Sequence, residues 1–404
     1  MKGSAFVRDA LWFSCVVLAG LNLRAAITSV GPVIGSIRED MGLSGGLAGL
    51  LTTLPLLAFA AVSPVAPRIS ARLGLARTLF WGLVLLGAGI LVRSLPNAVA
   101  LFAGTAILGT AIAVANVLLP GFVKRYFPRR VGLVTGTYIT AMNVGAALGA
   151  GLSVPVAGAL GLGWQGALGV WAALALLAVA VWMPLLGESP EEGASGREVR
   201  LLRGPWRSAL AWQVTLFMGL QSIVFYVSIT WLPAILRDGG LDAATAGWMV
   251  SLMQLIGIPA TLFVPMLAAR MRSQSALAAA AAALSGSGIL GLQFAGGALS
   301  ALPVLLLGLG QGAAISLALT LFALRAPDAA GAAALSGMAQ TVGYLLAAAG
   351  PPLFGVLHDL THGWTVPLIL LFAITVCMLL AGLGAGRDAL VGSPNRRSAD
   401  ARTL

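Results

Sequence analysis

The chain has 404 residues, 59% of them hydrophobic and only 9% charged, with a mean hydropathy of +0.96. That balance excludes a soluble globular domain and describes a polytopic α-helical membrane protein. The net charge of +11 does not point to nucleic acid, because the basic residues fall in short loops between apolar runs.

Twelve apolar runs long enough to cross a bilayer follow in order: 11–37, 46–66, 76–94, 98–123, 131–158, 163–186, 208–236, 243–270, 275–295, 298–325, 329–357 and 363–386. The first begins after Lys2 and Arg8 and has no small-residue cleavage site at its end, so it reads as a retained helix. The longest polar stretch follows the sixth run and holds Glu188, Glu191, Glu192, Arg197, Glu198, Arg200, Arg203 and Arg207. The predicted organisation is an N-terminal six-helix bundle (1–186), a cytoplasmic linker (187–207), a C-terminal six-helix bundle (208–386) and a polar cytoplasmic tail (387–404). With the N-terminus inside, the inner loops and termini hold 20 Lys/Arg and the outer loops three: Arg38, Arg93 and Arg237. This asymmetry predicts that both termini are cytoplasmic.

The second half repeats the first at an offset of 198 residues. Asp40 meets Asp238, Gly42-Leu43 meets Gly240-Leu241, Arg72 meets Arg270 and Gly145 meets Gly343. Parallel repeats of this kind predict a ligand site between two bundles, near the membrane midplane.

Arg24 is the one basic residue left over, and it lies about halfway along the first run. A central Arg costs roughly 2.5–3.5 kcal/mol on insertion scales, so something must offset it. All 13 Asp/Glu lie in loops, tails or helix ends, which leaves no intramembrane carboxylate to pair with it. The expected partner is a negatively charged or electron-rich solute; carbonyl groups at a broken helix are the alternative. Other polar residues near run midpoints are Asn116, Tyr138, Asn143, Gln221, Tyr226, Gln254, Gln311, Gln340 and Tyr344. With Asn22 and Thr28 they form the candidate substrate-binding set, against the alternative that such groups join helices by hydrogen bonds. His358 and His362 lie at the outer end of the eleventh helix, so the membrane interior has no ordinary titrating group for proton coupling.

Cys15 and Cys377 both fall inside apolar runs and offer neither a disulfide framework nor metal-ligand spacing. No catalytic cluster, metal or cofactor is expected. Gly145 and Gly149 have small-xxx-small spacing for close helix packing, and Gly350-Pro351-Pro352 is expected to break the hydrogen-bond ladder of the eleventh helix.

The stretch Pro67-Arg68-Ile69-Ser70-Ala71-Arg72-Leu73-Gly74, a predicted loop after the second helix, resembles the G-x-x-x-D-R-x-G motif of the major facilitator superfamily. Arg72 and Gly74 match as candidate gating residues, while Pro67 and Ala71 replace the motif's Gly and Asp. Asn22-Leu23-Arg24, Ala115-Asn116, Thr140-Ala141-Met142-Asn143, Gly219-Leu220-Gln221-Ser222, Phe225-Tyr226, Met338-Ala339-Gln340 and Gly343-Tyr344 resemble the cyanate/nitroimidazole transporter family (CynX/NimT). The resemblance implies an all-α membrane protein of the major facilitator fold in the bacterial inner membrane. It would be a secondary transporter moving a small anionic solute, cyanate-like or a carboxylate, by alternating access. The alternative is an exporter of a small toxic or drug-like compound such as a nitroimidazole. The expected partners are the small-molecule substrate and the lipid bilayer, with no nucleic acid, and the expected state is a monomer.

Overall fold

The computed structural model describes residues 2–62, 65–127, 130–187, 205–327 and 329–391. Most of the expected linker and the tail beyond Val391 lie outside the described residues. The described chain is all-helical and has 12 helices long and apolar enough to cross a membrane. The first span is α1 (Lys2–Thr28), a 3-10 turn at Gly31–Val33 and α2 (Ile34–Met41). It is followed by α3 (Gly45–Val62), a short α4 (Ala66–Leu73), α5 (Leu75–Arg93), α6 (Ala98–Tyr126), α7 (Val131–Gly158), and a sixth span made of α8 (Gly163–Gly169) and α9 (Trp171–Trp182). The second half is α10 (Ala209–Asp238), α11 (Ala243–Arg270), α12 (Ser275–Phe294), α13 (Ala301–Leu324), α14 (Ala329–Thr361) and α15 (Thr365–Ala385).

The first run is not the single helix its length suggests. Pro32 has no N–H to give to Thr28, and the ladder fails between Thr28 and Ile34. At Gly350-Pro351-Pro352 the ladder loses two N–H donors, as expected, yet α14 runs on through both prolines. The missing Pro352 N–H leaves the Ala348 carbonyl free, and Thr53 of α3 donates its hydroxyl to it at 2.5 Å. The expected loop at residues 67–74 is mostly helix α4, closed by Gly74 at φ +86°, where a side chain would be strained. Arg72 is exposed there and makes no ion pair among the described residues.

Each half closes its own first span onto its last in the same way. Trp164 donates its indole N–H to Asp40 at 2.9 Å, and Trp364 donates to Asp238 at 2.7 Å. The two aspartates are partners in the 198-residue repeat. Within the first half, Gly145 and Gly149 of α7 lie against the Leu21 and Ala25 backbone of α1, which is the close approach their spacing predicts.

α4, together with Gly187 and Pro205–Arg207 that flank the expected linker, marks one end of the molecule, the linker end. At the opposite, far end the two halves are bolted together. Arg38 pairs with Asp359 at 2.9 Å, and the Gly45 amide donates to the same carboxylate at 2.5 Å. Deeper in, Thr230 bonds Thr52 at 2.8 Å and Ser251 donates to the Ala147 carbonyl at 2.6 Å. Gly31 lies against the Ile229 carbonyl, and Gly49 against the Pro351–Pro352 backbone. Small residues permit this approach, so the far end is sealed by backbone contact and hydrogen bonds. On the linker side, a Cβ added at Gly121, Gly136 or Gly337 would meet nothing.

Candidate substrate site

Arg24 sits on α1 one turn before the break and is half-buried. Its guanidinium carbon lies 4.8 Å from the centre of the Phe225 ring on α10, a cation–π contact worth about 0.5–2 kcal/mol. The Arg24 charge is within electrostatic reach of the Tyr226 and Tyr344 phenols. Phe225 and Tyr226 meet edge to face at 5.1 Å, and Phe59 of α3 meets Tyr344 of α14 the same way at 5.5 Å. The cation therefore lies against Phe225 of the second half, with the Tyr226 and Tyr344 phenols in reach, and Tyr344 in turn packs on Phe59 of the first half. No carboxylate pairs with Arg24 among the described residues, so its N–H groups remain available to an acceptor.

The other expected residues divide by what their side chains touch. Asn116 on α6 and Asn143 on α7 are half-buried and have no side-chain bond among the described residues. Tyr138 is nearly buried on α7, where its backbone backs onto Gly20 of α1. The Gln221 amide is tied to Ser222 at 2.8 Å, and the Gln340 amide to Ser336 at 2.8 Å, each on its own helix. Gln254 is buried with its Nε2 unpaired. Gln311 turns to Ser285 of α12 at 3.2 Å, joining two helices of one half.

Asn22 and Thr28 do not join the group around Arg24. Asn22 is two residues away and thus on the other side of the helix, where it donates to the carbonyls of Leu18 at 2.9 Å and Leu174 at 3.2 Å. Thr28 donates to the Ala146 carbonyl of α7 at 2.8 Å. Both serve helix packing in this structure. Phe225 and Phe59 were missed because a search for polar midpoints ignores rings, although the Phe225-Tyr226 pair stands in the family-like motifs.

Arg93, expected in an outer loop, is instead buried to 1% exposure at the end of α5. It donates to the Ala26 carbonyl at 2.7 Å and to the Ser29 hydroxyl at 3.3 Å. Carbonyls at a broken helix do hold an arginine here, but it is Arg93 and not Arg24. A separate pocket of about 680 Å³ opens at the far end beside Glu39, Asp40, Trp164 and Arg237, and Arg24 does not line it. No group of three metal-ligating side chains occurs among the described residues.

The profile of the Major Facilitator Superfamily matches residues 13–351. A "2-nitroimidazole transporter" of Escherichia coli is 45% identical over 92% of this chain and 94% of its own length. The chain belongs to the major facilitator superfamily, in its cyanate/nitroimidazole transporter family. An "Uncharacterized transporter YycB" of Bacillus subtilis is 50% identical over 93% of each chain. The "Cyanate transport protein CynX" of Escherichia coli is 30% identical over 86% of this chain and 90% of its own. Among solved structures, a D-xylose-proton symporter superposes with a TM-score of 0.75 at 17% identity, covering 94% of this chain and 97% of the other. That likeness speaks for the fold alone. The relatives and the fold are those of transporters rather than enzymes.

Proposed function

We propose that this transporter carries a small planar solute with a carboxylate, cyanate-like or nitro group across the bacterial inner membrane, and that Arg24 holds that group. The observation that carries the reading is a half-buried guanidinium at mid-span with aromatic neighbours and no carboxylate partner among the described residues. A guanidinium offers a planar fork that matches two oxygens in one plane. Phe225, Tyr226 and Tyr344 give flat faces and phenol groups beside that fork, and Asn116 and Asn143 offer free amides from α6 and α7. The excess of Lys/Arg in loops of the linker end supports placing that end in the cytoplasm. The sealed far end then corresponds to an inward-facing state of an alternating-access cycle. With no carboxylate at mid-span among the described residues, any proton coupling would run through the solute or the helix ends.

Uptake of an anion is the first reading. Export of a nitroimidazole is the second, favoured by the 45%-identical relative, a 2-nitroimidazole transporter. Counterflow in proteoliposomes decides between them. The first reading expects exchange of benzoate or cyanate. The second expects exchange of 2-nitroimidazole but of neither anion. Exchange of none of the three by active liposomes would overturn both.

A further inference from the structure

The hydrogen-bond ladder of the first helix fails one turn beyond Arg24, and the freed groups are held by side chains. The Ala26 carbonyl, which the Val30 amide leaves for Ile27, accepts from Arg93 Nη1 at 2.7 Å and from Ser29 Oγ at 3.1 Å. Ser29 Oγ accepts from Arg93 Nη2 at 3.3 Å, and the Ser29 carbonyl accepts from Ser153 of α7 at 2.9 Å. Among the described residues Arg93 has no carboxylate partner, and its Nε has no hydrogen-bond partner. A buried guanidinium with an unpaired N–H is costly. Capping the Ala26 carbonyl does not demand it, because the Ser29 hydroxyl already does so.

The surroundings of the break explain what a rigid fork adds. Gly31 lies against the Ile229 carbonyl of α10, and Pro32 packs near Gly247 of α11. The broken segment is therefore where the first span bears on the other half. One turn earlier on α10, Phe225 faces Arg24. Ala26 and Ser29 lie between these two contacts, and Arg93 grips both of them from α5. We propose that Arg93 is a positioning residue of transport: it locks the break so that Arg24 and the Gly31 turn are presented to the second half in a fixed relation. This rests on the reading of Arg24 as the partner of the solute's oxygens. Without the lock the segment after Ala26 is free to swing, and the guanidinium of Arg24 loses its set distance from Phe225.

The test uses full-length purified protein with Arg93→Met, Arg93→Lys and Ser29→Ala. Two quantities are read: the Kd for benzoate and 2-nitroimidazole, and hydrogen exchange of the backbone amides of residues 29, 30, 31, 33 and 34 without ligand. Arg93→Met is expected to weaken binding roughly tenfold or more, the range for losing a charged hydrogen bond, and to speed exchange across the break. Arg93→Lys should regain part of both, since it restores charge without the fork. Ser29→Ala keeps the Arg93–Ala26 bond and should shift both readouts less, and it decides the matter if Arg93→Met does not fold. Variants that melt earlier yet bind and exchange as the wild type does would overturn the proposal and leave Arg93 a merely stabilising residue. Wild-type protein that binds neither probe would sink the Arg24 reading instead. Unchanged exchange in that case would still refute the lock.

Discussion

Asp359→Asn should loosen the far end without disturbing the site at Arg24. In the structure the Asp359 carboxylate makes an ion pair with Arg38 across the two halves at 2.9 Å and accepts the Gly45 amide at 2.5 Å. Asparagine keeps the size and can still accept from Gly45, so the change removes mainly the charge. The Arg38 and Asp359 side chains are 26% and 30% exposed, which places the pair near the upper part of the surface range, about 1 kcal/mol. A loss of about 1 kcal/mol shifts the balance toward far-open molecules about fivefold. Spin labels at Ser44 and Leu360, both exposed at the far end, would report the change as a longer-distance population. Cys15 and Cys377 would first be replaced to leave the labels unique. Raising salt in the wild type should move the distribution the same way but less, since the pair is partly shielded. An unchanged distance distribution in Asp359→Asn would refute the idea that this pair latches the far end.

Phe225→Leu removes the ring under Arg24 and should weaken solute binding about 2- to 30-fold, from a cation–π contact of about 0.5–2 kcal/mol, with little loss of thermal stability; calorimetric titration checks it. Gly31→Ala would drive a methyl into the Ile229 carbonyl oxygen. Transport should fall and the far-end labels should separate, because overpacking costs about 1–3 kcal/mol in the closed state alone. Asp242 caps α11 by accepting from the Thr245 hydroxyl and amide, and these bonds hold its carboxyl below the ordinary value of 3.8. Its contribution is therefore fully present above the unfolded-state value and is lost as pH falls through the depressed one. Faster exchange of the Thr245 amide near pH 3 than near pH 5, after correction for intrinsic rates, would show it.

How much of this was legible in the sequence depends on the residue. Apolar run lengths carry the twelve spans, since each crossing needs a set length of apolar chain. The repeat carries further than expected: the two aspartates it aligns, Asp40 and Asp238, each take an indole N–H from the sixth span of their own half. Arg24 stood out because a charge at mid-run is conspicuous. Arg93 did not, because it falls at the end of its run by count, and only the fold reveals that the break in α1 receives it. The break itself was hidden by the unbroken hydropathy of residues 11–37, although Pro32 was a signal for it. Thr28 shares the face of Arg24 by its four-residue spacing, yet its hydroxyl donates to α7; Asn22, beside Arg24 in the family-like motif, donates to α9. The prolines of α14 were legible as lost ladder donors, but not in their outcome: an internal proline frees a carbonyl without ending the helix when a neighbour such as Thr53 supplies the missing donor.

The role of Arg24 is tested most directly by the Kd of the purified protein for benzoate and 2-nitroimidazole, compared between wild type, Arg24→Lys and Arg24→Ala. If the guanidinium grips the solute, Arg24→Ala should lose roughly 10- to 100-fold or more in affinity while remaining folded, and Arg24→Lys should recover only part of it. Wild-type affinity in a folded Arg24→Ala protein would contradict the account.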